Sequence, residues 1–87
     1  MPTIKLFANL RKIAGVKEIS VVGTSLRGIL NQLVKEVPAL DGVILEDGQI
    51  RPHFVITING HNTTTLDVTV SEQDHVAIFP PIAGGST

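Results

Sequence analysis

The sequence predicts an α+β domain with one main helix packed on one face of a sheet. Three observations predict it. Apolar residues alternate with other residues near both ends of the chain, they recur every three or four positions across one central stretch, and Pro38 closes that stretch. At 87 residues the chain makes one small domain at most. Such a domain buries roughly 60% of its unfolded surface, so the core is thin but can suffice.

The first element is Thr3 to Ala8, where Ile4, Leu6 and Ala8 alternate with Thr3, Lys5 and Phe7 as in a half-buried strand. Asn9 to Gly15 reads as a connection punctuated by Gly15. Lys17 to Val22 is a second β-prone stretch, with Ile19 and Val21 on one face, and the short separation suggests an antiparallel hairpin. Thr24 or Ser25 then caps a helix whose buried stripe is Leu26, Ile29, Leu30, Leu33, Val34 and Val37. Pro38 ends that helix at about Val37. Gly28, inside it, either permits close approach to the sheet or is tolerated at about 1 kcal/mol relative to Ala.

Ala39 to His53 is the least regular stretch. Asp41-Gly42 and Asp47-Gly48 are turn signals around Val43-Ile44-Leu45, so an extended loop with one short helix or strand is expected. Phe54 to Asn59 is the strongest strand, with Phe54, Ile56 and Ile58 on one face, and Asn59-Gly60 supplies the positive φ angles of a tight hairpin. Leu66 to Val70 is a candidate brief return strand or turn. His75 to Phe79 is the last strand, with Val76 and Ile78 inward and Ala77 and Phe79 outward. Residues 1–81 then form the domain and residues 82–87 a flexible C-terminal tail containing Gly84-Gly85.

Composition removes several function classes. A hydrophobic share of 43% against 17% charge is too apolar for a disordered chain. The net charge of −1 argues against a nucleic-acid footprint or a polybasic membrane patch, and three Phe with no Trp or Tyr leave little for base stacking. Without cysteine there is no disulfide scaffold, thiol nucleophile or thiolate metal site. No apolar run reaches the ~20 residues of a membrane span, and Met1-Pro2-Thr3 opens no signal peptide, so a cytoplasmic location is expected.

No residue pattern points to catalysis. Ser20, Ser25, Ser71 and Ser86 lack a nearby His or acid, and His53, His61 and His75 show no metal-ligand spacing. Glu46-Asp47 and Glu72 with Asp74 read as solvated loop charges, and Gly23, Gly28 and Gly42 form no phosphate-binding loop. Asn62-Thr63-Thr64 fits a glycosylation sequon by chance, absent a secretory signal.

The C-terminal run Phe79-Pro80-Pro81-Ile82-Ala83-Gly84-Gly85 is the informative one. Consecutive prolines fix φ and cannot continue a ladder, so the chain leaves the sheet there. From Phe79 to Gly85 it reaches roughly 20 Å if extended. Pro81, Ile82, Ala83, Gly84 and Gly85 end in almost no side-chain bulk, a shape that threads a narrow channel in a partner; a frayed terminus is the plain alternative. If Ile4, Leu6, Val76 and Ile78 face the helix, Phe7 and Phe79 point away as an exposed pair on adjacent strands. That makes them candidate docking residues unless Leu10 or Leu66 covers them.

Taken together, three pieces resemble a known family: Phe7-Ala8-Asn9-Leu10-Arg11 with Ala14-Gly15, the Val55 to Gly60 strand ending in Ile58-Asn59-Gly60, and Asp74 through Gly85. The chain resembles the ubiquitin-like sulfur carriers, which include the molybdopterin-synthase small subunit and the thiazole-synthesis sulfur carrier. The Phe-Pro-Pro-Ile-Ala-Gly-Gly tail looks more like the molybdopterin branch. The Ala39 to His53 stretch is longer than the bacterial molybdopterin pattern and more like archaeal-type or cysteine-synthesis relatives.

The resemblance implies a β-grasp (ubiquitin-like) fold, a mixed sheet of four to five strands with one main helix packed on one face, in which the first and last strands are neighbours. It implies a carrier, not an enzyme, that binds no cofactor of its own. An E1-like activating enzyme would adenylate Gly85 with ATP, and a sulfur donor would convert the adenylate to a thiocarboxylate. The molybdopterin-synthase large subunit or another sulfur-accepting enzyme, as in thiamine or cysteine synthesis, would take the sulfur. Ser86-Thr87 depart from the family pattern, because a Gly85 carbonyl held in a peptide bond offers nothing to adenylate. Either a tail-trimming protease removes the two residues, or they are not native, or the chain is a relative without carrier function. A protein modifier forming isopeptide bonds and a plain interaction module are the other function classes.

Overall fold

In the computed structural model, residues 1–81 are described. The expectations for Ile82, Ala83, Gly84 and Gly85, and for a flexible tail over 82–87, lie outside the described residues. Strand β1 (Thr3–Leu6) lies one strand in from an edge of the main sheet. It pairs antiparallel with β2 (Glu18–Ser20), Ile4 opposite Ile19. On its other side it runs parallel to β7 (His75–Phe79), with Ile4 opposite Val76 and Leu6 opposite Ile78. Strand β5 (Val55–Ile58) continues antiparallel to β7, Ile56 opposite Ile78, and β6 (His61–Thr63) closes the edge. The five-stranded order is β2-β1-β7-β5-β6, so the mixed sheet and the adjacency of first and last strands are as expected.

Helix α2 (Leu26–Glu36) begins where Ser25 Oγ accepts a hydrogen bond from the Gly28 N–H at 3.1 Å. Leu26, Ile29, Leu30 and Leu33 are fully buried and pack with Ile4, Leu6, Ile56, Val76 and Ile78 of the sheet in one core cluster. Gly28 serves the cap: a Cβ there would lie 3.2 Å from Ser25 Oγ. The close approach in this region belongs to Gly23, where a Cβ would come within 2.6 Å of the Ile29 side chain.

Three sequence readings are corrected. Asn9 to Gly15 is not an irregular connection but helix α1 (Asn9–Ala14), closed by Gly15 at φ 80°. Leu10 is buried and Ile13 and Ala14 are half-buried against the core, the spacing of a single short helical face. The strand accordingly ends at Leu6, and Ala8, read as an inward strand residue, is exposed at φ 54°.

The return strand after Asn59-Gly60 is the polar β6, not Leu66 to Val70. Leu66 and Val70 are buried, and their segment crosses the start of α2. There the Val68 and Leu66 carbonyls accept from the N–H groups of Leu26 and Arg27 at 3.0 and 3.1 Å. The segment's carbonyls satisfy helix N–H groups that have no intrahelical partner.

Finally, Ala39 to His53 holds more structure than a loop with one element. A 3₁₀ turn at Pro38–Leu40 precedes a two-residue hairpin of β3 (Leu45–Glu46) and β4 (Gln49–Ile50). Asp47 and Gly48 turn it at φ 54° and 76°. Leu40 and Ile44 anchor the stretch in the core.

Candidate functional site

The site is built where β7 runs out. The parallel register that sets Leu6 beside Ile78 sets Phe7 beside Phe79, and alternation turns both away from α2. The two rings stack, centroids 4.4 Å apart and planes 18° apart. Arg11 lies over the Phe7 ring, its guanidinium carbon 5.1 Å from the centroid, a cation–π contact. Its Nε donates to the Leu6 carbonyl at 2.7 Å, which fixes the side chain across the β1–α1 junction.

The sequence reading had the direction right and the exposure too high. Phe7 and Phe79 are half-buried because each covers the other. Leu10 and Leu66, the residues considered as covers, are both in the core. Val55, opposite Phe79 in the register, is 43% exposed and widens the apolar face. Arg11 and Val55 were not singled out from sequence. The Phe7-to-Arg11 spacing of four becomes a signal only once α1 is known to be a helix.

Beside this face, Pro80 and Pro81 form one wall of an open groove of about 370 Å³ whose other walls include Leu10, Phe54, Val43 and Arg51. Arg51 is held there by donating to the Gly42 carbonyl at 3.1 Å and by an ion pair with Glu46 at 3.7 Å. The irregular 39–53 stretch thus supplies a flank to the point where the tail departs. Pro80 is half-buried, and Pro81, the last described residue, is exposed. Among the described residues no three His, Asp or Glu side chains gather as a metal site, and no helix is long and apolar enough to cross a membrane.

Comparison with known proteins agrees with this fold and shows the family. The model of the ThiS family matches residues 4–85, which takes in the sheet, both helices and Gly84-Gly85. Small archaeal modifier protein 3 of Haloferax volcanii is 34% identical, over 94% of this chain and 96% of that one. The molybdopterin synthase sulfur carrier subunit of Arabidopsis thaliana is 31% identical, over 94% of this chain and 80% of that one. The solution structure of small archaeal modifier protein 1 from Methanosarcina acetivorans superposes with a TM-score of 0.85 at 34% identity, covering 97% of this chain and 95% of that one. The chain belongs to the ThiS family and is a ubiquitin-like sulfur carrier or modifier of β-grasp fold, not an enzyme.

Proposed function

We propose that this protein is a sulfur carrier whose Gly85 carboxyl is adenylated and converted to a thiocarboxylate, donating sulfur in molybdopterin biosynthesis after removal of Ser86-Thr87. The observation that carries the reading is that the family match runs to Gly85 and stops there, a short run beyond a strand that ends at Phe79, before Pro80-Pro81, beside an apolar face. A carboxylate is a poor acyl donor. Transfer of AMP from ATP, with release of pyrophosphate, gives it a good leaving group. A sulfur donor then displaces AMP at the acyl carbon. The carrier contributes reach and docking, and its partners contribute catalysis.

Phe7 and Phe79 dock the E1-like activating enzyme. The segment Pro81, Ile82, Ala83, Gly84 and Gly85 threads into its active site, and later into the molybdopterin-synthase large subunit. The ATP belongs to the activating enzyme, a protease trims the tail, and the protein works in the cytoplasm. Support for the molybdopterin branch comes from the 31% identical carrier subunit and from the Phe-Pro-Pro-Ile-Ala-Gly-Gly run. A second reading, isopeptide attachment of Gly85 to substrate lysines, is favoured by the 34% identity to a protein named as a modifier. Sulfur carriers of thiamine or cysteine synthesis remain the alternatives within the first class.

Mass spectrometry of protein recovered from its native cells tests these readings. A chain ending at Gly85 with sulfur replacing one carboxyl oxygen is the expected product. Conjugates of higher mass on lysines support the modifier, and an intact Thr87 with neither product overturns both.

A further inference from the structure

The charges of this chain are divided in a way the fold does not require. Residues 5–17 contain four cations, Lys5, Arg11, Lys12 and Lys17, and no acid. The rest of the chain holds three cations and eight acids. The basic stretch is an arm made of the end of β1, α1 and the connection up to β2, whose first residue is Glu18, and it carries Phe7. Lys5 stands two residues before Phe7 on the same strand face, and Arg11 lies over its ring. The Lys17 carbonyl accepts from the Leu6 N–H at 2.8 Å, which holds the far end of the arm beside the same strand terminus.

Three ion pairs form within 4.0 Å among the described residues, Met1 with Glu72, Arg27 with Asp67 and Arg51 with Glu46. None involves the four cations of the arm, although Glu18 faces Lys5 in the strand register. Arg11 and Lys12 sit favourably in the last turn of α1, but Lys5 and Lys17 have no such role. Acidic Glu72 and Asp74 lie at the opposite end of β7, where the strand begins. The tail therefore departs beside a basic arm, with the 39–53 stretch, which carries Asp41, Glu46 and Asp47, as its other flank.

We infer that this arm is an electrostatic steering surface, and that its occupant is a protein face with an apolar pocket for the Phe7–Phe79 pair rimmed by carboxylates. Given the carrier reading above, on which this rests, the occupant is the activating enzyme. Exposed rim charges act on the approach of two proteins more than on the final contact, and salt screens them. The cations raise the rate at which the tail's base is brought to the enzyme, and the apolar pair then holds it. A nucleic acid is a poor occupant. The two Phe faces that would stack on bases are closed against each other, and the remaining surface is acidic.

The test is the stopped-flow association rate of the chain ending at Gly85 with the activating enzyme from the same genome, at about 50 mM and about 500 mM salt. The wild-type rate is expected to fall about tenfold or more between the two. Lys12→Glu combined with Lys17→Glu should slow association about tenfold at low salt and leave the high-salt rate nearly unchanged. Lys35→Glu, in the last turn of α2 on the other side of the sheet, should behave as wild type. A wild-type rate indifferent to salt overturns the inference without reliance on any variant. So does a double variant that is as fast as wild type at low salt. ATP–pyrophosphate exchange on the same preparations separates the two readings. Exchange with salt-independent association removes the steering surface alone, and absence of both exchange and association removes the carrier reading and this inference with it.

Discussion

Phe7 stacks on Phe79 at 4.4 Å because β1 and β7 run parallel in a register that makes the residues after Leu6 and Ile78 neighbours. The pair is thus both a structural clamp between first and last strands and the apolar centre of the proposed docking face. Stacking of this kind contributes about 0.5–1.5 kcal/mol beyond area burial. Phe79→Ser should therefore lower stability by about 1–2 kcal/mol, leaving the domain folded. Its affinity for the activating enzyme should drop by about tenfold or more, as for an aromatic anchor. Isothermal titration alongside urea denaturation checks both effects. Unchanged affinity removes Phe79 from the interface.

Leu10 is the residue through which α1 joins the core, fully buried although α1 is only six residues long. Leu10→Ala should cost about 2–5 kcal/mol, the range for a truncated core leucine. Lys12→Ala, two residues on and exposed, should change stability by less than about 0.5 kcal/mol. Urea midpoints at constant m-value distinguish them. Equal, small effects would mean that the arm is only loosely packed.

Where the sequence carries a strong period, element and facing are legible in it. The α2 stripe from Leu26 to Leu33 and the alternation of Val76 and Ile78 with Ala77 and Phe79 leave little choice of face. The β5–β6 turn was legible from Asn59-Gly60, at φ 52° and 86°, but its return strand His61–Thr63 was not. An edge strand of polar residues has no apolar period to display. Leu66, Val68 and Val70 did display one, and still form no ladder with the sheet, because the Leu66 and Val68 carbonyls accept from α2's first N–H groups and the Val70 N–H donates to the Thr24 carbonyl. Helix α1 failed for the converse reason: six residues are too few for a period to stand out from a loop. At the site, Phe7 and Phe79 were visible as outward residues. Their mutual stacking and the Arg11 cover depend on strand order and a helix turn, which are tertiary facts.

Asp74 ties the start of β7 to the β5–β6 turn. Its carboxylate accepts from the Ser71 N–H and from Asn59 Nδ2, each at 2.9 Å, while Asn59 Oδ1 accepts from the His75 N–H at 2.9 Å. The Ser71 backbone bond first, then the Asn59 and Ser71 side chains, hold the Asp74 carboxyl below its ordinary value of 3.8. A carboxyl depressed in the folded state binds its proton more readily when unfolded. Its stabilising contribution is therefore present above the ordinary value and is lost as pH falls through the lower folded one. Asp74→Ala should be less stable at neutral pH, and its urea midpoint should decline less than wild type's between about pH 5 and pH 2. Parallel declines across that interval would show that the Asp74 bonds do not couple to folding.

The residues after Gly85 decide whether the proposed chemistry can begin. Adenylation requires a carboxylate oxygen to attack ATP, and an amide carbonyl joined to Ser86 supplies none. The chain ending at Thr87 should give no ATP–pyrophosphate exchange at Gly85 with the activating enzyme, and the chain ending at Gly85 should give it readily. Ala83-Gly84-Gly85 presents almost no side chain to a protease, which must bind extended backbone, so the Gly85–Ser86 bond is a favourable place to cut. Gly84→Val or Gly85→Val should block both trimming and exchange, since a β-branched side chain restricts the backbone and does not fit the same narrow path. Intact mass is measured before and after the assay, so that trimming during incubation is not mistaken for activity. If the Thr87 form stays intact by mass and supports exchange as well as the Gly85 form, processing is not required and the trimming step is withdrawn.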